Sequence, residues 1–282
     1  MSISLSSPNS PSAEGCNISG MKKKPLNKPV VLVLAGHDPV GGAGIQADIE
    51  TIAANGCHAA TVLTAMTIQN TVAFRKYIPV NPQDFLQQIE LICSDMEISA
   101  AKIGLIGDAE ILHAIETVMQ EIGEVPVVLD PIIYAGTGEA IIQNNVRIGL
   151  YEKLSPHVTV ITPNSVEART LTGAHDPALA AEFFLRHGCK AVLITGTHEP
   201  TDRVINTLYQ ANSSPGVYTW PRLPGSYHGS GCTLSSAIAA HLARGKDLGE
   251  AVMAAQEFTW NTLQHGLQLG KKQYHPDRFY RN

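Results

Sequence analysis

The sequence has no long apolar run. Its cleanest, around Val30 to Ala35, falls well short of the ~18–20 residues a bilayer span needs. That excludes a transmembrane protein. No G-x-x-x-x-G-K-[ST] occurs, so the chain is not a P-loop protein, and the absence of H-E-x-x-H and G-x-S-x-G removes the usual evidence for a zincin or an α/β-hydrolase. Charge is scarce: 16% of residues are charged, the net charge is −5 and the pI is near 6.1. Nothing there supports nucleic-acid binding by bulk positive charge. Phosphate chemistry on small substrates stays open, because helix ends and a metal can supply positive potential locally. The five cysteines, Cys16, Cys57, Cys93, Cys189 and Cys232, lie too far apart for a C-x-x-C or zinc-ribbon motif. An odd count in a chain of 282 residues favours a reducing compartment, mostly buried thiols and a cytoplasmic location.

Residues 1–28 lack arginine and an apolar core segment, so they are no secretory signal and do not favour a transit peptide. They are rich in Ser, Pro and Asn and carry +3, leaving −8 on the remainder. They read as a disordered extension, with Met21 an alternative start, ahead of a single domain over 29–282. Beyond Lys28 strands and helices alternate regularly. Val30–Ala35, Ala60–Met66, Lys102–Ile106, Val125–Leu129, Val158–Ile161 and Ala191–Ile194 read as buried strands. Gly44–Ala54, Asp84–Cys93, 108–122, 165–172, 178–187, 231–243 and 248–265 read as helices. Arg203–Tyr209 and Val217–Trp220 read as a small antiparallel pair. The pattern predicts an α/β fold with a mostly parallel sheet covered on both faces.

Ligands of such sheets bind beyond the carboxyl ends of the strands. There the sequence places Gly36-His37-Asp38-Pro39, Thr67-Ile68-Gln69-Asn70-Thr71, Asp130-Pro131, Thr162-Pro163-Asn164 and Thr195-Gly196. Each one alone is an ordinary turn sequence; the set points to a site. Gly42-Ala43-Gly44-Ile45-Gln46-Ala47 matches the dinucleotide pattern G-x-G-x-x-A. The second strand, however, ends without the acid that would hold a ribose, which argues against NAD. The sharpest feature is His228-Gly229-Ser230-Gly231-Cys232-Thr233, a glycine-rich turn opening a small-residue helix. The free amides of such a helix start bind anions, and its dipole lowers the pKa of a thiol in the first turn. Cys232 could then take a proton from a substrate hydroxyl while the amides hold a phosphoryl group. The same residues serve equally well as a tight turn with an inert buried thiol. In Thr162-Pro163-Asn164-Ser165-Val166-Glu167, Asn164 and Glu167 suit a capping box; Glu167 also suits a carboxylate near Mg²⁺ and phosphates.

Ala35 through Asp48, Gln69-Asn70-Thr71, Lys102-Ile103-Gly104, Thr162-Pro163-Asn164-x-x-Glu167 and Gly229-Ser230-Gly231-Cys232-Thr233-Leu234-Ser235 together resemble the hydroxymethylpyrimidine/phosphomethylpyrimidine kinases of thiamine biosynthesis, over about residues 29–265. The resemblance implies a ribokinase-like three-layer α/β/α fold, commonly a homodimer. The implied reaction transfers the γ-phosphoryl of ATP to 4-amino-5-hydroxymethyl-2-methylpyrimidine and to its monophosphate. It puts Gln69, Asp48, Gly36 and Leu105 at the pyrimidine, with Leu105 where the family usually has Met. It makes Gly229, Ser230, Gly231 and Cys232 the anion hole and base. Asn164, Thr195 and Gly196 fall to the nucleotide, and Glu167 and Asp130 to Mg²⁺. Two family lysines are missing: Gly136-Thr137-Gly138 stands for Lys-Ser-Gly, and Thr195-Gly196-Thr197-His198 for Lys-Gly-Gly-His. Arg203, Arg222 or the metal are the candidates to replace their charge. Two other readings stand beside the first: a pyridoxal or pyridoxine kinase, and a pyrimidine-binding protein with little catalysis.

Overall fold

A computed structural model describes residues 28–136 and 138–281. The expectations for the amino-terminal extension, Met21 included, lie outside the described residues apart from Lys28. The strands are β1 (Val30–His37), β2 (His58–Gln69), β3 (Phe74–Pro79), β4 (Ile98–Ile103), β5 (Val127–Leu129), β6 (Val160–Ile161), β7 (Ala191–Thr195), β8 (Arg203–Gln210) and β9 (Gly216–Pro221). They form one sheet in the order β3-β2-β1-β4-β5-β6-β7-β8-β9. From β2 to β7 neighbours are parallel; β3, β8 and β9 extend the two edges antiparallel.

Alternation along β1 shows why helices must cover both faces. Leu32 and Leu34 enter one core with Phe85, Ile111, Ile115 and Phe184. Val31, Val33 and Ala35 enter the other with Ile52, Ile238, Val252 and Phe258. Burying side chains of this kind stabilises by about 1.5–3 kcal/mol each. The first face is covered by α2 (Pro82–Asp95), α3 (Ala109–Glu121), α4 (Asn144–Gly149), α5 (Ser165–Thr172) and α6 (Pro177–Arg186). The second is covered by α1 (Gly44–Ala54), α7 (Ser230–Ala243) and α8 (Leu248–Gln264). This is the three-layer ribokinase-like architecture. Local chemistry sets the helix ends: Asn81, Asp108 and Asp176 each accept backbone N–H bonds as N-caps, and Pro opens α2 and α6. Gly173, at φ 73°, closes α5 in the left-handed conformation.

Three differences from the sequence reading matter. The strand expected over 102–106 runs from Ile98 to Ile103, and 104–106 are loop. The sequence reading lacks both β3 and α4. The β8–β9 pair is no separate unit; β8 pairs with β7 and continues the main sheet.

Candidate active site

The strands leave a cavity of about 830 Å³ along their carboxyl ends. Gly36 of β1, Gln69 of β2 and Leu105 after β4 meet at one end. Gly36 lies close against Leu105: a Cβ there would come within 2.8 Å of Leu105 Cδ2, so the leucine side chain would have to shift. Phe74 of β3 lines the same end. Asp130, Thr162, Asn164, Glu167 and Thr195 follow along the strand ends, and Gly229, Ser230, Gly231 and Cys232 close the cavity from α7.

Asp48 does not line the cavity. It is fully buried beneath it, where Lys102 Nζ donates to its two oxygens at 2.9 and 3.0 Å and Ser236 Oγ donates at 2.6 Å. The expectation that Asp48 faces the pyrimidine is therefore corrected: its carboxylate is the counter-ion of a buried lysine. Burial works to lower the Lys102 pKa. The Asp48 carboxylate, with Cys232 and Asp130 near it, outweighs this and holds the lysine pKa above its ordinary value. In the sequence Lys102 stands out only as part of a family stretch. A lysine within Ala100-Ala101-Lys102-Ile103, a run otherwise apolar, is the local signal of a buried partner.

Cys232 sits in the first turn of α7, as its spacing suggests, but its thiol pKa is not lowered. Burial pushes it up to about 12, and the charges of Asp130 and Asp48 push the same way; Lys102 and the Gly44 amide oppose. Desolvation and two carboxylates outweigh the lysine and that amide. Asp130 is itself raised by burial and by Asp48, against Lys102 and a bond from Ser235 Oγ at 3.2 Å. Burial and the neighbouring Asp130 push Glu167 up to about 8. Its Oε2 accepts from the Asn164 amide at 2.9 Å, and Asn164 Oδ1 accepts from Val166 and Glu167, so the capping box is closed. Asp130 and Glu167, both buried and both lining the cavity, are carboxyl groups that could hold a divalent cation. Among the described residues no group of three or more His, Cys, Asp or Glu could hold one, and Mg²⁺ commonly takes one or two carboxylates with phosphate and water.

The glycine-rich segments meet each other. Gly229, at φ 86°, begins α7, and no described side chain caps the helix. A Cβ on Gly229 would lie 1.9 Å from the Gly42 carbonyl oxygen. His228 wedges between Gly42 and Gly136, where Cβ atoms would fall 2.3 and 2.6 Å from its ring. Its Nε2 pairs with Asp38 Oδ2 at 2.9 Å, and Asp38 also accepts the amides of Val40 and Ala43. Burial works against the Asp38 charge, yet His228 and those amides hold its pKa below the usual value. No local sequence signal marks this pair, because its members are 190 residues apart.

At the other end Trp220, Trp260, Gln256 and Thr259 line the cavity. The indoles stack with centroids 6.3 Å apart, and Gln256 Oε1 accepts from Trp220 Nε1 and Asn206 Nδ2. Gly196 does not line the cavity. Its amide donates to Asn206 Oδ1, and a Cβ there would meet the Ile205 carbonyl at 2.3 Å. It packs the β7–β8 connection, between Thr195 and Thr197, which do line the cavity. Arg222 lines the cavity, but its guanidinium donates to the carbonyls of Gly196, Thr197, Glu199 and Thr201. Arg203 does not line the cavity and donates to the Thr219 carbonyl. Of the two arginines, then, Arg222 alone reaches the cavity, with its guanidinium donors turned onto backbone carbonyls.

A ribokinase-like sheet, with a glycine-opened helix and two buried acids at its carboxyl edge, defines a small-molecule kinase. The phosphomethylpyrimidine kinase model matches residues 38–277, and the chain belongs to that family. It is 36% identical over 241 residues to the hydroxymethylpyrimidine/phosphomethylpyrimidine kinase of Rhizobium meliloti, covering 81% of this chain and 88% of that one. With the enzyme of the same description from Haemophilus influenzae it is 34% identical, covering 87% and 94%. Among solved structures, phosphomethylpyrimidine kinase from Clostridium difficile superposes with a TM-score of 0.74 at 32% identity, covering 84% of this chain and 100% of that one. Pyridoxal kinase from Staphylococcus aureus in complex with AMP-PCP and pyridoxal gives 0.82 at 27% identity, covering 91% and 96%.

Proposed function

We propose that this enzyme transfers the γ-phosphoryl of ATP to the hydroxymethyl group of 4-amino-5-hydroxymethyl-2-methylpyrimidine, and then to the phosphate of the product. The observation that carries the reading is the uncapped start of α7, Gly229 to Cys232, opening on the cavity beside Asp130 and Glu167. Gln69 would hydrogen-bond the aminopyrimidine edge, with Gly36 and Leu105 against the ring. Asn164 and Thr195 lie on the route from Glu167 towards the tryptophan end, where the nucleotide base would rest on Trp220 or Trp260. The amides of Ser230, Gly231 and Cys232 would stabilise charge on the transferring group, a contribution that preorganised donors make at no reorganisation cost. With the lysines gone, those amides bear more of that work. Asp130 and Glu167 would hold Mg²⁺, which supplies charge neutralisation at the phosphates.

Cys232 is the base in this scheme, and a thiol pushed up to about 12 is protonated in the free enzyme. Carboxylate charge beside it is part of the reason. A cation held by Asp130 would offset that charge and shift the balance towards thiolate, with Lys102 already close. The residues from 29 onward would form one kinase domain. Among the described residues no helix is long and apolar enough to cross a membrane, and a cytoplasmic location fits the cysteine usage. Met66, Ile68 and Ile78 are exposed on β2 and β3, a suitable face for a homodimer.

The test is Mg-ATP-dependent phosphorylation of hydroxymethylpyrimidine, its monophosphate, pyridoxal and pyridoxine, with products resolved by mass. A diphosphate product is expected. Monophosphate alone would place the effect of the missing lysines in the second step. Turnover of the vitamin B6 compounds alone would establish the second reading, which the superposition on pyridoxal kinase favours. Pyrimidine binding without turnover would leave a binding protein.

A further inference from the structure

The carboxyl-terminal segment crosses the molecule and touches the loops that build the cavity. The Lys271 amide donates to Thr71 Oγ1, in the turn between β2 and β3, at 3.2 Å. Gln273 Nε2 donates to the Gly136 carbonyl at 3.0 Å. The Tyr274 amide donates to the Ser226 carbonyl, and its own carbonyl accepts from the His228 amide, both at 2.9 Å. The segment leads to Arg278, whose side chain is 1% exposed.

Arg278 lies one residue past the stretch that the family model matches. Its Nε donates to Thr233 Oγ1 at 3.0 Å. The Thr233 hydroxyl donates in turn to the Gly229 carbonyl at 2.9 Å. On the other side of the guanidinium, Nη1 and Nη2 donate to the carbonyls of Gly41 and Gly42, and Nη1 also pairs with Glu50 of α1 at 2.9 Å. Gly42 and Gly229 are in contact, so one planar fork holds both sides of the junction at the anion hole. A lysine at this place has one point charge and no fixed fork.

We infer that Arg278 is a positioning residue for phosphoryl transfer: it fixes the Gly41–Gly42 turn against the first turn of α7 and so sets where the amides of Ser230 to Cys232 point. The inference rests on the reading of those amides as the anion hole. Arg278 touches neither substrate nor nucleotide in this scheme. Small displacements of positioned groups lower turnover by up to about 100-fold, so the effect belongs in kcat and not in the KM for the pyrimidine.

The test compares full-length Arg278→Lys, Arg278→Ala and Glu50→Gln proteins with wild type. The expected result is a kcat on the order of 10–100-fold lower in both Arg278 variants, with the pyrimidine KM within about twofold and the Glu50 variant within about twofold of wild type throughout. Ethylguanidinium added to Arg278→Ala should recover part of kcat and leave wild type unchanged. Wild-type kcat in a folded Arg278 variant, or a loss shared equally by KM, overturns the inference. Where Arg278 variants do not fold, Thr233→Val and Thr233→Ser decide: the first should lose kcat and the second should retain it, and equal kcat values in the two overturn the inference. Should wild type turn over no pyrimidine, the functional reading fails separately. Amide hydrogen exchange then decides: faster exchange confined to 40–44 and 229–234 in Arg278→Lys supports the positioning role, and unchanged exchange there refutes it.

Discussion

Removing Lys102 tests the electrostatics beneath the site. In Lys102→Met the Asp48 carboxylate stays fully buried and keeps only the 2.6 Å bond from Ser236. It loses two charge-assisted bonds of 2.9 and 3.0 Å. Breaking one side of a buried pair costs about 3–5 kcal/mol, mostly from the charge left uncompensated. Asp48→Asn strands Lys102 instead, at a cost of about the same size. The double variant strands neither and keeps the volume, so it should fall short of the summed losses by about 3 kcal/mol or more. With a urea dependence of about 3 kcal/mol per molar for a chain of this size, each single variant moves the unfolding midpoint down by roughly 1–1.7 M. The assay is equilibrium urea unfolding of all four proteins. A Lys102→Met protein within about 1 kcal/mol of wild type, or a double variant as destabilised as the sum, refutes the claim that these groups are a coupled pair.

Cys232→Ala should keep the fold and lose on the order of 10²–10⁴ in kcat, as expected for a lost base; near-wild-type turnover removes Cys232 from that role. The raised thiol pKa also predicts that iodoacetamide near neutral pH labels exposed Cys93 well before Cys232 in the free enzyme, read by peptide mass. Gly229→Ala combines a left-handed backbone with a Cβ pressed onto the Gly42 carbonyl, and should destabilise by about 3 kcal/mol or more in urea unfolding. Buried His241, near Lys246, Arg244 and Arg281, has its pKa lowered to about 4 from an ordinary 6.5. The unfolded chain binds that proton more readily. Its contribution is therefore complete above pH 6.5 and declines as pH falls towards 4. His241→Gln should flatten the stability profile in that window; an unchanged slope contradicts the assignment.

Periodicity and turn chemistry carry most of the architecture. Six central strands and seven helices are readable because their apolar residues repeat at strand or helix spacing. The missed elements lack that signal. Strand β3 reads Phe-Arg-Lys-Tyr-Ile-Pro, with two adjacent charges at an edge where one face meets solvent. The start of β4, Ile-Ser-Ala-Ala, offers too little apolar bulk, and α4 begins with two asparagines and ends in glycine. In the site, the strand-end motifs point to the cavity, since local sequence places them there. The partnerships do not show: Lys102 with Asp48, His228 with Asp38 and Arg278 with Gly42 join residues 54, 190 and 236 apart. Asp48 is misplaced for the same reason. An acid in a glycine-rich signature looks like a ligand contact until its lysine is found. The thiol of Cys232 shows the same limit, since helix position is local and carboxylate neighbours are not.

The span of 236 residues between Arg278 and Gly42 also sets a schedule. A ribosome moving at about 5–20 residues per second finishes the glycine turn roughly 12–50 s before it reaches the arginine that secures it. For that interval the nascent chain carries its first signature without the fork that holds it. Any nascent chain that stops short of 278 carries its family motifs but lacks that clasp.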